Sequence, residues 1–166
     1  MPIAQSARPC LPLTLDFART AQRKPILDLT KLAGQPIATV ERRLGKPITI
    51  DEITDDPREM PGDYREYRVR GFKSVSETEA GFTVQYYNGN AVSFIIELET
   101  PTETAEEALM QVGIDVRGKA ADRSAMLASI WSNLTVGGAN FKDIGAQTGL
   151  NGGRFVRVIA NLSRRP

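Results

Sequence analysis

The sequence predicts an α+β protein in which an antiparallel sheet has short helices packed on one face. Three observations predict it. "LDLTKLAGQPIATVERRLGKP", residues 27–47, is a short apolar stripe with turn signals at both ends. "FTVQYYNGNAVSFIIELE", residues 82–99, is a pair of alternating apolar runs around Asn-Gly, the strongest short hairpin signal. After Pro101 the apolar spacing changes from the period of a strand to that of a helix. The expected order is therefore helices, strands, helices, strands. It suggests two degenerate halves, residues 27–101 and 102–166, each a helix pair followed by antiparallel strands, within one globular unit. Residues 1–26 read as an N-terminal arm or edge strand. A chain of 166 residues suits one domain, or two small halves sharing a core.

Each element has a local reason. Leu11, Leu13, Leu15 and Phe17 alternate as in a half-buried strand, and Pro12 would push that strand to a sheet edge. The same run is too short, and too interrupted by Pro12 and Asp16, for the core of a signal peptide. Asp28 can cap a first turn carrying Leu29 and Leu32, and Gly34 breaks it. Pro36 suits the first position of a second helix, where its missing N–H costs nothing. Ile37, Val40 and Leu44 then form one buried face, and Gly45 and Pro47 end the helix. At about three turns it is too short to stand alone and must pack on a sheet.

The strands follow. Ile48 and Ile50 alternate within residues 48–54, and "DDPREMPGD" is a proline-punctuated loop. Residues 64–72 alternate again, with Tyr67 and Val69 opposite Arg68 and Arg70. In the hairpin, Phe82, Val84, Tyr86, Val92, Phe94 and Ile96 are expected in the core, around a type I′ turn at Asn88-Gly89. Thr104 and Glu107 make a capping box ahead of Ala108, Leu109 and Val112, ended by Gly113. "AADRSAMLASIWSNL" reads as helix, with Met126 and Ile130 on one side and Leu127, Trp131 and Leu134 beside them. "NFKDIGAQ" and "GRFVRVIANLS" read as two strands joined by a glycine-rich turn.

Leu32, Gly34, Pro36, Val40, Leu44, Gly45 and Pro47, followed by strands and the hairpin, form a pattern that resembles a known module. It is the helix-then-meander unit of the β-lactamase inhibitory protein superfamily, also similar to that of the small lipoprotein of the outer-membrane barrel assembly machinery. The match is best over residues 27–98, and the second half fits in element order. Gln35 departs from it, standing where a Ser or Thr cap is expected. The resemblance implies an exported or periplasmic binding protein and carries no catalytic set.

Composition narrows the chemistry. Histidine is absent, which removes the commonest general base, neutral metal ligand and pH switch, and with them any Ser-His-Asp or Cys-His nucleophile system. Cys10 is alone, so no internal disulfide and no cysteine zinc site is expected. Net charge is +1 and gives no global pull toward nucleic acid or anionic membrane. No run of 18 apolar residues suggests a transmembrane segment. The acids of residues 51–63 match no calcium-loop spacing and read as a solvated loop. Trp131, beside Leu127 and Leu134, reads as core.

Two surfaces remain. Arg65, Arg68, Arg70 and Lys73 surround Tyr64, Tyr67 and Phe72 and could contact a single strand of nucleic acid, but Glu66 on the face of Arg68 and Arg70 favours cross-strand salt bridging. On the hairpin, Gln85 and Tyr87 face away from the core, as does Ile95 on the partner strand. The expected function is a non-enzymatic protein-binding or inhibitory module acting through its sheet face and loops, with Tyr87, Ile95, Gln85, Arg68 and Arg70 toward another protein and no cofactor or metal. The alternative is a nucleic-acid-associated or other intracellular accessory protein.

Overall fold

The computed structural model describes residues 24–53, 62–74, 81–150 and 152–163. The expected strand at residues 11–17, Cys10 and most of the proline-punctuated acidic loop lie outside the described residues. Among those described, the chain runs from a 3₁₀ turn (Leu29–Lys31) through α1 (Ile37–Leu44) into four strands: β1 (Thr49–Ile53), β2 (Gly62–Glu66), β3 (Phe82–Tyr87) and β4 (Asn90–Thr102). Helix α2 (Ala105–Gln111) leads to four more: β5 (Arg123–Ala125), β6 (Ala128–Val136), β7 (Ala139–Thr148) and β8 (Phe155–Leu162). All eight join one antiparallel sheet in the order β1-β2-β3-β4-β8-β7-β6-β5. The fold class is α+β, as expected. The sheet is two meanders joined at β4 and β8.

The core comes from alternate residues in register. Phe82 lies opposite Ile96, Val84 opposite Phe94, Phe94 opposite Ala160, and Ile144 opposite both Ala160 and Trp131. All of these are buried, and register neighbours share a face. Leu29, Leu32 and Val40 from the first helical segment, and Ala105, Ala108, Leu109 and Val112 from the α2 region, complete the same cluster. Helix α1 packs against β4, and α2 against β4, β7 and β8.

The punctuation of residues 27–47 has a structural purpose. Asp28 caps the 3₁₀ turn by accepting from the Thr30 N–H at 3.1 Å. Gly34 donates to the Ala91 carbonyl, and Ala91 donates to the Gln35 carbonyl, each at 2.9 Å. Gln35 offers α1 no side-chain cap. The hairpin instead provides one of the orphan bonds of the helix start, because Ile37 N–H donates to the Gly89 carbonyl at 3.0 Å. Upstream, Ile26 and Leu29 donate to the last carbonyls of the α2 region at Gln111 and Val112. This one segment therefore ties the first hairpin to the helix that opens the second half.

Several expectations are corrected. Pro36 precedes α1 as its cap residue, and Ile37 begins the helix. Leu44 is half-buried where full burial was expected, and Ile48, just before β1, and Ile50, within it, are exposed. The expected strand 64–72 ends at Glu66; Tyr67 still enters the core, while residues 68–70 leave the sheet. Ala91, not Val92, is the buried residue after the turn. The pairing slips between Gln85–Ser93 and Tyr86–Ala91, so Val92 is the extra residue of a bulge.

The largest correction concerns residues 120–134. They form β5, a turn at Met126-Leu127 and most of β6, not a helix. Trp131 and Leu134 are both buried although three residues apart, the spacing that mimics a helix. Asn133, at φ 51°, breaks the alternation between them, and Phe141 and Ile144 on β7 match the same offset. Trp131 is core, as expected, and its indole N–H donates to the Lys119 carbonyl at 3.0 Å. The second half therefore has one helix among the described residues, not a pair.

Candidate functional site

The side chains that alternate away from the core make the opposite, outer face. β3 contributes Thr83 and Gln85, and β4 contributes Ser93, Ile95 and Glu97. β8 contributes Arg157, Ile159 and Asn161, each directly opposite a β4 residue of this set. Tyr64 on β2 lies opposite Gln85, and Asp143 on β7 lies opposite Asn161. At the centre is a depression of about 220 Å³ lined by Tyr64, Thr83, Gln85, Ser93, Ile95, Ile159 and Asn161. Its floor sits at the β4–β8 junction.

The polar groups around it are ordered. Ser93 Oγ is 2.6 Å from Asn161 Oδ1, and Asn161 Nδ2 is 2.7 Å from Asp143 Oδ1. Gln85 and Ser93 are buried although they alternate away from the core. Ile95 keeps about 36% of its surface exposed. Further along the same two strands, Arg157 pairs with Glu97.

The sequence-predicted residues separate into three places. Gln85 and Ile95 are diagonal neighbours and both line the depression. Tyr87 is exposed beside the hairpin turn, at the far end of β3 from Phe82. Arg68 and Arg70 are exposed beyond the end of β2, off the sheet. Neither arginine adjoins the depression in the register. Of the aromatics near them, Tyr67 and Phe72 are buried and offer no stacking surface. Asn161, Ile159 and Asp143 were not identified from sequence as site residues, and Tyr64 was singled out only among the aromatics of the basic stretch. The alternation Arg157-Val158-Ile159-Ala160-Asn161 gives the faces of β8, but nothing local shows that β8 will pair with a strand 68 residues away.

A second polar cluster lies on the core side. Arg65 is 2.7 Å from Glu41 on α1 and 3.4 Å from Asp63, and its guanidinium sits over the Tyr86 ring at 5.6 Å. The Tyr86 and Tyr67 hydroxyls are 2.7 Å apart and buried. Burial pushes both phenols above their usual range. This cluster fastens α1 to β2. No group of metal-ligating side chains occurs among the described residues, and no described helix is long and apolar enough to cross a membrane.

No family model, curated protein or solved structure matches this chain. The functional reading therefore rests on the geometry.

Proposed function

We propose that this chain is a non-enzymatic protein-binding or inhibitory module whose partner docks on the outer face of the sheet. In this reading both short helices cover the apolar face, leaving the opposite face of the central strands to the partner. The two meanders would be a degenerate duplication, in keeping with the helix-then-meander resemblance over residues 27–98. One observation carries the reading: the middle of the outer face combines exposed Ile95 with a shallow depression and side chains fixed by mutual hydrogen bonds. An apolar centre with an ordered polar surround is how protein interfaces are built. Gln85 and Ile95 belong to this surface, and Tyr87 extends it toward the hairpin tip.

A photo-crosslinking amino acid placed at Ile95, and separately at Arg42 on the exposed side of α1, tests it in the native host. Adducts to one discrete protein at position 95 and none at position 42 are expected. Equal labelling at both positions, or none at 95, would overturn the reading.

A further inference from the structure

The hydrogen-bond chain on the outer face has a direction, and the direction specifies what fits the depression. Asp143 is a carboxylate and can only accept, so the Asn161 amide must turn its nitrogen toward it. That leaves the Asn161 oxygen facing Ser93, whose single hydroxyl proton is then committed to it at 2.6 Å. Ser93 Oγ keeps its lone pairs and has no proton left to give. The chain therefore ends in the depression as an acceptor, polarised by the carboxylate at its far end. A group that bonds to Ser93 must bring a donor.

Charge points the same way. Four residues lie directly across the strands from the lining residues without lining the depression themselves: Asp51, Glu66, Asp143 and Gly145. Glu66 is engaged with a partner of its own; Asp51 and Asp143 are also acids, and none of the four is basic. Arg157 is already paired with Glu97, and Arg68 and Lys142 stand outside this ring. Size decides between a free metabolite and a side chain. At about 220 Å³ the depression is smaller than the roughly 300–1,000 Å³ typical of small-molecule sites. It suits one long side chain whose stem lies on Ile95 and Ile159 while its head reaches the acceptor.

We infer that the depression receives a single basic side chain, an arginine, from a docking protein segment. Arginine brings an aliphatic stem for the isoleucines, several donors in a planar fork for Ser93, and a cation for the acidic ring. The inference rests on the outer face being the docking surface, and it specifies the residue that the partner places there.

The test uses the whole chain and blocked pentapeptides Gly-Gly-X-Gly-Gly with X = Arg, Leu, Trp or Glu, titrated by amide and side-chain NMR. The arginine peptide should give saturable shifts at Thr83, Ser93, Ile95, Ile159 and Asn161, and the glutamate peptide none there. Ser93→Ala, which removes the acceptor, should weaken the arginine peptide about tenfold. Asp143→Asn should do likewise by letting the Asn161 amide turn over, so either variant that keeps the native spectrum suffices. Preference for the Trp, Leu or Glu peptide at this site, or arginine shifts indifferent to both variants, would overturn the inference while leaving the crosslinking result to judge the face itself. Absence of any site-specific shift with the arginine peptide would also overturn it.

Discussion

The two faces of β3 and β4 are built from the same two strands and do opposite things. On one, Phe82, Val84, Tyr86, Phe94 and Ile96 are buried almost completely. On the other, Thr83, Gln85, Ser93 and Ile95 surround an open depression. Alternation alone produces the division, since successive side chains point to opposite sides of a pleated strand. The consequence is energetic. The inner face carries the apolar burial that holds the fold, so the outer face can present polar groups and half-exposed isoleucines at small cost to stability.

The division can be broken most strongly from the inside. Phe94→Ala removes a fully buried ring that packs on Phe82, and should cost about 3–5 kcal/mol in denaturant unfolding. Next comes the buried hydroxyl pair. Tyr86→Phe leaves the Tyr67 hydroxyl without this partner and should cost about 1–3 kcal/mol, while adding Tyr67→Phe should recover part of that loss. The same pair predicts alkaline sensitivity. Burial raises both phenols in the folded state, so the stability they contribute is complete below the unfolded phenol pKa of about 10 and is lost as pH rises above it. Unfolding midpoints followed from pH 8 to 11 should fall in the native chain and fall less in the double phenylalanine variant.

The smaller effects sharpen the comparison. Leu44 packs against the core from a half-buried position, so Leu44→Ala should cost about 1–2 kcal/mol, below the range for full burial. A loss above that range would show that α1 seals the core more tightly than its exposure indicates. Tyr87→Ala, on the outer side beside the hairpin turn, should shift stability by no more than about 0.5 kcal/mol. A large loss there would mean that the outer face also holds the fold, and the contrast between the faces would fail.

How much of this was readable beforehand depends on where the determining contacts lie. The β3–β4 hairpin is local: Asn88 and Gly89 sit at φ 49° and 73°, the type I′ geometry that Asn-Gly prefers, and the flanking alternation follows. The capping box at Thr104 and Glu107 is equally local and present. Residues 120–134 misled because one left-handed residue, Asn133, converts strand spacing into helical spacing. The Val92 bulge is also hidden, since Ala91 bonds to Gln35, more than fifty residues upstream. For the candidate site, alternation places Gln85 and Ile95 on the outer face, but Asn161 and Asp143 arrive through the pairing of β4 with β8 and of β8 with β7, which no short motif encodes.

If the outer face is the docking surface we propose, that pairing sets when the protein becomes competent to bind. Within each meander, strands join their sequence neighbours through short or moderate connections, whereas β4 and β8 must close a loop of 68 residues between Ser93 and Asn161. Closing so long a loop carries an entropy cost that local hairpins avoid, which favours formation of the hairpins before the seam. The depression lies on that seam, with Ser93 and Ile95 from one strand and Ile159 and Asn161 from the other. A chain with both meanders formed but the seam open would have no acceptor chain and no isoleucine floor. Occupancy would thus discriminate finished molecules from unfinished ones, and a ligand held there would act as a clasp, adding its binding energy to the last contact made.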